Sequence, residues 1–548
     1  MKKTILVLVA ILMLTSVLAG CQPATEPVNT EAAPEESQAP AEQPQESEEP
    51  REWTWDDEDI SWRQDTSPAE YSLFLDIAWA PMDVWGSDHV SQKITELTGV
   101  SFEVTKRQDA NHLSMIMNSG EYPDSIFVFI NKQFYENPEI SYAWNELIPE
   151  HCPEFMDLLD KSEVAMATKD DGNFYTLYTH TRNQTYWDDD TQPVSYGEPT
   201  IILRDDLLAE IGNPKIETMA DFRAALEAVK AAHPDYTAYL QGALNSSALM
   251  GWFGINAYDT FYKDANGQLR HQYNDPTRYR DYLSYLNGLQ RDSLMNVEGL
   301  TYTFDQQKQA ILAGKVFATS CQIFDVDVIN EELDKIEGNT LRYTALSAPL
   351  KVEGETRYAP VFPSLGFAGY YITKSCEEPG RLIKLMEFLK SPEGDKLSQW
   401  GVEGVDYTLS EDGLPLINTD IPWKERGDNV WYFGASFGVE IQKALTKRIT
   451  SPDYSQVTDL MMSFKPYWTA DFALGLCKPE AETPMYETKS LLTQNYKDNI
   501  NPIIAAKSDE EFEEIFNKMF SEYERLGMAD YEAWAQARYD EVKPRFEN

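Results

Sequence analysis

The sequence has few basic residues and few cysteines for its length. Its 548 residues contain 46 Lys and Arg against 91 Asp and Glu, which gives a formal net charge of −45. No basic stripe occurs, so nucleic acids and other polyanions are poor partners for the chain. Five cysteines are present, and none has the Cys-x-x-Cys spacing of a zinc site. Beyond Cys21, the other four (Cys152, Cys321, Cys376 and Cys477) either pair or remain buried free thiols, and their spacing leaves both states open.

Sequence motifs of catalysis are also missing. The six histidines are scattered, and the chain contains no HExxH, GxSxG or GxxxxGK[ST] motif. Asp and Glu are so abundant that their number does not indicate whether the chain has the two catalytic carboxylates of a glycosidase. Asp264-Ala-Asn266-Gly267 lacks the later ligands of a calcium loop, and a hairpin turn accounts for its Asn-Gly pair. We therefore predict a protein that is not an enzyme and that holds no cofactor and no metal.

The first 20 residues have the pattern of a removable secretory signal. Lys2 and Lys3 precede a continuous apolar run, TILVLVAILMLTSVLA, which is slightly short for a transmembrane span. The run ends in Leu18-Ala19-Gly20-Cys21, which resembles the lipobox of bacterial lipoproteins. This resemblance implies cleavage before Cys21 and a lipid on its sulfur. The alternative is an ordinary signal peptide followed by an incidental cysteine.

Residues 21–67 are predicted to form a lipidated cysteine and a disordered, acidic, Pro-rich tether. Between Gln22 and Pro50 there are eight Glu, no Lys or Arg, and no aromatic residue. Such a segment cannot bury enough apolar surface to offset the entropy that ordering would cost. Because Pro and like charges keep it extended, it is suited to be a spacer. We expect the folded body to work on the extracellular face of the cell membrane.

Strand and helix patterns alternate from residue 71 onwards. Strands are predicted at YSLFLDIAW (71–79), VSFEVTKR (100–107) and DSIFVFI (124–130), with helices at 88–99 and 110–120. Short connections between alternating strands and helices are typical of a parallel α/β sheet. The loops after such strands gather at the edge where open α/β sheets bind ligands.

A second block of the same kind follows. Residues 198–235 predict a strand, a short helix and an amphipathic helix that begins at Thr218, with Asp221 completing a capping box. A hairpin is expected around Asn266-Gly267. A helix pair is predicted within 380–409, and the chain ends in helices.

Six stretches in this order resemble extracellular solute-binding proteins of bacterial ABC importers, in particular the long Firmicutes lipoproteins linked to oligosaccharide uptake. They are KITELTGVSFEV, IMNSGEYPDSIFV, ILRDDLLAEIG, YRDYLSYLNGLQRDSLMN, QAILAGKVFA and LIKLMEFLKSPEGDKLSQWGVEGVDYTL. The resemblance implies a two-lobed, type II periplasmic-binding-protein-like α/β fold. Each lobe would be a mostly parallel sheet flanked by helices, with a ligand cleft between the lobes. Lobe one would comprise 68–185 and 360–415, lobe two 195–355 and 425–548, and the crossing segments would lie near 180–197, 352–362 and 412–424.

Aromatic and polar residues near the predicted strand ends are the candidates for ligand binding. Sugar rings stack on aromatic rings while their hydroxyls need converging donors and acceptors. The aromatic candidates are Trp79, Trp85, Trp252, Trp431 and Tyr432. The polar candidates are Asn131, Lys132, Arg182, Asn245, Gln322 and Glu403. For each tryptophan the alternative is core packing, and for each polar residue it is capping or a hinge hydrogen bond.

The sequence thus predicts a lipid-anchored, monomeric substrate-binding protein that delivers a neutral or weakly charged oligosaccharide to ABC permease subunits. A peptide is the alternative ligand, and Lys132, Arg182 and Glu403 are the residues that would fix its charged groups. Two alternative functions remain at this stage: a wall-associated polysaccharide-active enzyme, and a surface sensor or adhesin with the same fold.

Overall fold

The structure is a computed structural model. It describes residues 52–76, 83–109, 111–179, 184–188, 199–242, 247–255, 261–323, 325–353, 361–362, 366, 368–409, 411, 413, 415–418, 420–421, 425, 456–480 and 483–547. The signal segment and most of the tether lie outside these residues, as do the greater part of the predicted crossing segments.

The described elements alternate between strands and helices along most of the chain. The strands are β1 (Ala69–Leu75), β2 (Val100–Lys106), β3 (Ser125–Val128), β4 (Pro199–Arg204), β5 (Thr237–Leu240), β6 (Phe261–Lys263), β7 (Leu269–His271), β8 (Val316–Gln322), β9 (Tyr343–Ala345), β10 (Val361–Phe362), β11 (Gly369–Ile372), β12 (Tyr407–Leu409), β13 (Pro415–Ile417) and β14 (Thr469–Ala470). The helices are α1 (Ser61–Gln64), α2 (His89–Thr98), α3 (His112–Ser119), α4 (Lys132–Tyr135), α5 (Trp144–His151), α6 (Glu154–Leu158), α7 (Lys161–Ala167), α8 (Gln184–Asp188), α9 (Asp205–Glu210), α10 (Met219–Ala232), α11 (Ser247–Trp252), α12 (Pro276–Arg291), α13 (Phe304–Leu312), α14 (Asp325–Asp334), α15 (Pro379–Lys390), α16 (Pro392–Trp400), α17 (Gln456–Phe464), α18 (Phe472–Gly475), α19 (Pro484–Ile504), α20 (Asp509–Arg525) and α21 (Met528–Val542).

The first sheet has the strand order β11-β3-β1-β2. β1 runs parallel to both β2 and β3, and β11 is an antiparallel edge strand. Helix α2 between β1 and β2 begins at Asp88, whose carboxylate accepts from the Ser91 N–H, and ends at Gly99 in the left-handed region. A Cβ at Gly99 would lie 2.3 Å from the Thr66 carbonyl oxygen, so this turn requires glycine. The predicted strand–helix alternation is confirmed in this part of the chain.

The second sheet has the order β5-β8-β4-β9, and it differs from the expected pattern. Only β5 and β8 are parallel, whereas β4 is antiparallel to both β8 and β9. The description of this sheet as mostly parallel is therefore wrong. An alternation of strand and helix patterns restricts the connections but does not specify which strands become neighbours, and here β4 is inserted between β8 and β9.

Each sheet has its own hydrophobic core. One large cluster draws its buried members from residues 60–178 and 368–397, around the first sheet. The other draws them from 201–350 and 460–542, around the second sheet. We call these two bodies lobe one and lobe two. The exact lobe boundaries given above remain a prediction, because the crossing segments lie mostly outside the described residues.

The local signals for helix and turn formation are confirmed. Thr218 and Asp221 form the predicted capping box of α10. β6 and β7 form the expected hairpin, in which the Asp264 carboxylate accepts from the N–H groups of Asn266 and Gln268. This carboxylate is therefore used by the turn itself.

The four cysteines of the described residues are free and buried. Burial is the main reason why the pKa of each of the thiols of Cys152, Cys321, Cys376 and Cys477 is raised. They therefore behave as small apolar core residues. Within the described residues, no helix is long and apolar enough to cross a membrane.

The folded body begins earlier than predicted. The sequence predicts a tether up to residue 67, but Ile60 and Trp62 are buried in the core of lobe one. Trp62 packs on Phe388 of α15 with 4.8 Å between ring centroids. The physical reason is composition: the low-complexity stretch ends near Pro50, and Trp53, Trp55 and Trp62 follow closely. Their apolar area offsets the entropy cost of ordering the segment.

Two buried carboxyl groups hold this amino-terminal segment. Glu154 accepts from the Ser61 N–H, and Glu387 accepts from the Trp62 N–H at 2.9 Å. The side chains of Glu154 and Glu387 are 2% and 0% exposed. Burial, and then the neighbouring Glu154, raise the pKa of Glu387 to about 8, which the Trp62 N–H and Lys384 oppose. Glu387 thus retains its proton at neutral pH.

We predict that Glu387→Gln flattens the pH dependence of stability. Glu387 keeps its proton in the folded protein up to about pH 8, but in the unfolded chain it ionises near its ordinary pKa of about 4.3. The contribution of protonated Glu387 to the free energy of unfolding is fully present below the pKa of the unfolded chain. It is lost as the pH rises towards 8. Urea unfolding between about pH 5 and pH 9 should show the Glu387→Gln variant gaining stability relative to the wild type by up to about 1.4 kcal/mol per pH unit.

The matched control is Glu393→Gln, because Glu393 forms an exposed ion pair with Arg63 beside the same segment. This variant should keep the pH dependence of the wild type. Parallel pH profiles for wild type and Glu387→Gln would contradict a protonated Glu387 in the folded protein.

Candidate functional site

The carboxyl edge of the first sheet carries a buried ion pair. Asp76 directly follows β1, and its Oδ1 lies 3.1 Å from Nη1 of Arg107, which follows β2. The Asp76 side chain is fully buried and that of Arg107 is 19% exposed. The guanidinium of Arg107 lies over the Phe129 ring at 5.6 Å. Burial raises the pKa of Asp76, and Arg107 opposes that rise.

A second polar group lies on the same edge, after β3. The Lys132 ammonium is 4.6 Å from the centre of the Tyr178 ring, and the Lys169 ammonium is 5.2 Å from it. Glu136 forms an ion pair with Lys169 at 2.7 Å and accepts from the hydroxyls of Tyr178 and Tyr371. Burial lowers the pKa of Lys132 to about 8; Glu136 opposes this, and Lys478 and Lys169 add to it. The group can therefore supply both donors and acceptors to a polar ligand.

Lobe two meets lobe one beside this group. The Arg538 guanidinium on α21 forms an ion pair with Asp170. Arg545, near the end of the chain, donates to the Thr168 carbonyl oxygen at 3.1 Å. Lys169 lies between Thr168 and Asp170 in sequence. Its ion pair with Glu136 is therefore adjacent to the contact between the lobes.

The corresponding edge of the second sheet is lined by amides. Gln322, at the end of β8, pairs in register with Pro199 of β4 and gives its backbone N–H to Asp325 at 3.1 Å. Burial raises the pKa of Asp325 to about 6. Gly242, just past β5, allows the buried Gln307 side chain to approach, since a Cβ there would lie 2.5 Å from its Oε1. The Gln307 amide already donates to the Thr319 hydroxyl at 2.8 Å, so it is the partly exposed Gln322 side chain that suits hydrogen bonding to an uncharged polar ligand.

The structure brings together only part of the predicted set of site residues. Asn131 and Lys132 lie at the edge of the first sheet, with Asn131 at φ 54°, and Gln322 lies at the edge of the second. Glu403 is exposed and forms an isolated β-bridge with Tyr407, whose hydroxyl lies 3.5 Å from the Glu403 carboxylate. The remaining polar and aromatic candidates, Trp79, Arg182, Asn245, Trp431 and Tyr432, lie outside the described residues.

For two tryptophans the structure supports the core alternative. Trp85 is 9% exposed in the core of lobe one, with its indole N–H donated to the Thr95 hydroxyl at 2.8 Å and its ring edge-on to Phe102. Trp252 is 4% exposed in the core of lobe two.

Sequence reasoning missed Asp76, Arg107, Glu136, Lys169 and Tyr178. The strand pattern extends through residue 79 and so places Asp76 inside a strand, whereas β1 ends at Leu75. A charged residue within an otherwise apolar run was the available signal. Glu136, Lys169 and Tyr178 are brought together by packing alone, and no sequence spacing indicates them.

A surface cavity of about 480 Å³ lies at the other end of the first sheet. Its lining includes Tyr142, His151 and Arg381. Arg381 donates to the carbonyl oxygens of Ser67 and Thr98, which precede β1 and β2. The cavity therefore lies at the amino ends of these strands, away from the groups described above. Within the described residues, no cluster of three or more His, Cys, Asp or Glu side chains could hold a metal ion.

Comparison with solved structures relates the whole folded body to solute-binding proteins. The chain is similar to the S. pneumoniae ABC-transporter substrate-binding protein FusA in complex with kestose, with 16% identity, 87% of this chain and 100% of that chain covered, and a TM-score of 0.65. It is similar to the alginate-binding protein AlgQ2 (18% identity, 88% and 99% covered, TM-score 0.62). It is also similar to an HMO-binding, ABC-transporter-associated solute-binding protein from Bifidobacterium longum infantis (14% identity, 87% and 100% covered, TM-score 0.62). No protein-family model and no curated protein matches the chain. The two-lobed α/β fold expected from the sequence is thereby confirmed.

We predict that Trp85→Phe lowers stability without changing ligand affinity. Phe cannot donate to Thr95 and fills less of the core, which together should cost about 1–3 kcal/mol of unfolding free energy. Urea unfolding and calorimetric titration measure the two effects separately. Trp79→Phe is the matched comparison, because Trp79 follows the same strand and remains a candidate for ligand stacking. A loss of affinity in Trp85→Phe at unchanged stability would place Trp85 in the binding site instead.

Proposed function

We propose that the chain is an extracellular, lipid-anchored substrate-binding protein that delivers an oligosaccharide to an ABC importer. The observation that carries the proposal is the similarity of fold across the whole body to proteins of this class, which covers all of the FusA chain. The signal-like segment and Leu18-Ala19-Gly20-Cys21 support it independently, since they predict export and attachment to the membrane.

The two sheet edges support ligand binding between the lobes. Each edge offers hydrogen-bonding groups where open α/β sheets bind ligands, Asp76 and Lys132 in lobe one and Gln322 in lobe two. The ion pair of Arg538 with Asp170 and the hydrogen bond of Arg545 join the lobes beside these groups. A ligand that contacts both edges would stabilise a closed arrangement, which the permease subunits could recognise.

The proposed ligand is a neutral or weakly charged oligosaccharide. The net charge of −45 disfavours polyanionic sugars. FusA was solved with kestose, and the Bifidobacterium protein is described as HMO-binding. Trp79 and Trp431 remain the proposed stacking residues, and the proposed polar contacts are Asn131, Lys132, Arg182, Asn245, Gln322 and Glu403. The protein is proposed to act without catalytic turnover.

We predict saturable binding of a saccharide together with closure of the lobes. Calorimetric titration should compare fructo-oligosaccharides, N-glycan fragments, other neutral oligosaccharides, uronate oligomers and peptides. One neutral class should bind, and small-angle scattering at saturation should then give a smaller radius of gyration than without ligand. Product analysis of the same mixtures should find the saccharide unchanged.

The other functions predict different results. Turnover of a glycan would identify a polysaccharide-active enzyme, and binding of peptides alone would exclude oligosaccharide delivery. Saccharide binding with identical scattering curves would contradict lobe closure while leaving the ligand class intact.

We predict that Cys21 is the lipidated mature amino terminus. Cys21→Ala removes the sulfur that would carry the lipid, so the protein should be released from the membrane fraction or remain unprocessed. Membrane fractionation and mass spectrometry of the mature amino terminus measure this. Thr25→Ala, in the same segment, should remain membrane-bound. An unmodified Cys21 in a protein that stays on the membrane would refute the anchor.

A further inference from the structure

The segment before β1 is held on lobe one by two buried carboxyl groups, and we call residues 53–68 the strap. The backbone N–H of Ser61 donates to Glu154 on α6, and that of Trp62 donates to Glu387 on α15. Because the two donors are consecutive in the chain, the two carboxyl groups that accept from them must be neighbours. Both carboxyl side chains are almost completely inaccessible to solvent.

The strap has the features of an element that can separate from the body. Its helix α1 has four residues, and no side chain caps its amino end. The indole N–H of Trp62 is buried without a hydrogen-bond partner among the described residues, so its hydration is lost without compensation. Apolar contacts of Trp62 with Phe388 and of Trp55 with Phe155 hold the strap in place. Segments with few buried contacts open locally at a fraction of the cost of global unfolding.

Glu387 fits its buried position as a neutral acid. Its Oε2 accepts from Trp62, whereas its Oε1 receives no hydrogen bond from any described residue. Burial, and then the charge of Glu154, raise the pKa of Glu387 to about 8. An ionised Glu387 would be buried beside a second carboxyl group, and burying a charge without a paired counterion is costly.

The other ionisable groups around Glu387 do not neutralise its charge. Lys384, on the same helix, lowers the pKa of Glu387 but does so less than burial raises it. The thiol of Cys152, after α5, has its pKa raised by burial and by Glu387, so it stays neutral. The cations of the strap and of neighbouring segments pair elsewhere: Arg63 with Glu393, Lys390 with Glu163, Arg381 with Asp65, and Lys106 with Asp83.

We propose that the strap is a pH-sensitive attachment, docked on α6 and α15 while Glu387 is protonated and released when Glu387 ionises. Release exposes both carboxyl groups to water, which removes the cost of burying the ion. Fully extended, residues 53–68 would add at most about 55 Å to the chain that precedes β1. Rising pH therefore lengthens the connection between the body and the segment before residue 53. The device involves neither the ligand nor the permease subunits.

The docking equilibrium weakens over a defined pH range. In the released strap Glu387 ionises near its ordinary pKa of about 4.3, and in the docked strap its pKa is about 8. Docking is strongest below the lower pKa and loses about a factor of ten in its equilibrium constant per pH unit between the two. Above the higher pKa it weakens no further.

Trypsin cleavage after Arg63 tests the proposal, because the protease cuts this bond when the strap is released and the cleavage rate follows the open population. The full chain is digested between about pH 6 and pH 7.5. The rate at Arg63 is divided by the rate at Lys215, whose side chain is 80% exposed, which corrects for the pH dependence of trypsin. In the wild type this ratio should rise about tenfold per pH unit. In Glu387→Gln it should stay constant.

Two further variants separate the device from a purely structural effect. Glu393→Gln removes the exposed partner of Arg63 and should keep the slope of the wild type. Trp62→Phe weakens the packing on Phe388 equally at every pH, so it should raise the ratio by a constant factor and leave the slope unchanged.

The remaining outcomes decide against the strap. A wild-type ratio that does not change with pH, or an equal slope in Glu387→Gln, would overturn the proposal. Cleavage at Lys215 with none at Arg63 over the whole range would show that the strap stays docked, which overturns it as well. Because no ligand takes part, none of these failures bears on the proposed function.

Discussion

The parallel pairing of β1 with β2 and β3 is the constraint on which the site in lobe one depends. In parallel strands, the residues after each carboxyl end emerge at the same edge of the sheet. Asp76 and Arg107 are 31 residues apart in sequence, yet the parallel register of β1 with β2 places them side by side. A slip of one residue would turn the alternating side chains to the opposite face and would separate the pair of Asp76 with Arg107. The apolar side chains that fix the register of β1 therefore also fix the positions of the polar side chains at its carboxyl end.

Much of this architecture could be predicted from local sequence because its signals are local. Gly99 and Gly120 end helices in the left-handed region that glycine adopts most easily, and Thr218 with Asp221 begins one by a pair of reciprocal hydrogen bonds. Such features involve residues within a few positions of one another. Their outcome depends little on the rest of the chain, and the element order follows from them.

The parts that could not be predicted depend on contacts distant in sequence. Nothing near β4 indicates that it will lie between β8 and β9. The aromatic content after residue 52 was visible, but only the presence of α15 gives Trp62 a surface to pack on. Trp85 has the sequence surroundings of a loop residue after a strand, and its burial depends on Thr95 and Phe102. The strand and helix patterns therefore predicted where the strands end more reliably than they predicted which side chains lie at those ends.

The attachment of α1 to α15 also has a mechanical consequence. Tension on the chain from its amino-terminal side is carried by the Trp62 ring and by the backbone N–H groups of Ser61 and Trp62 into α6 and α15, both of which pack in the core of lobe one. The load is therefore borne by one half of the molecule. Lobe two lies outside this line of force, so a pull on the leading segment acts on lobe one alone.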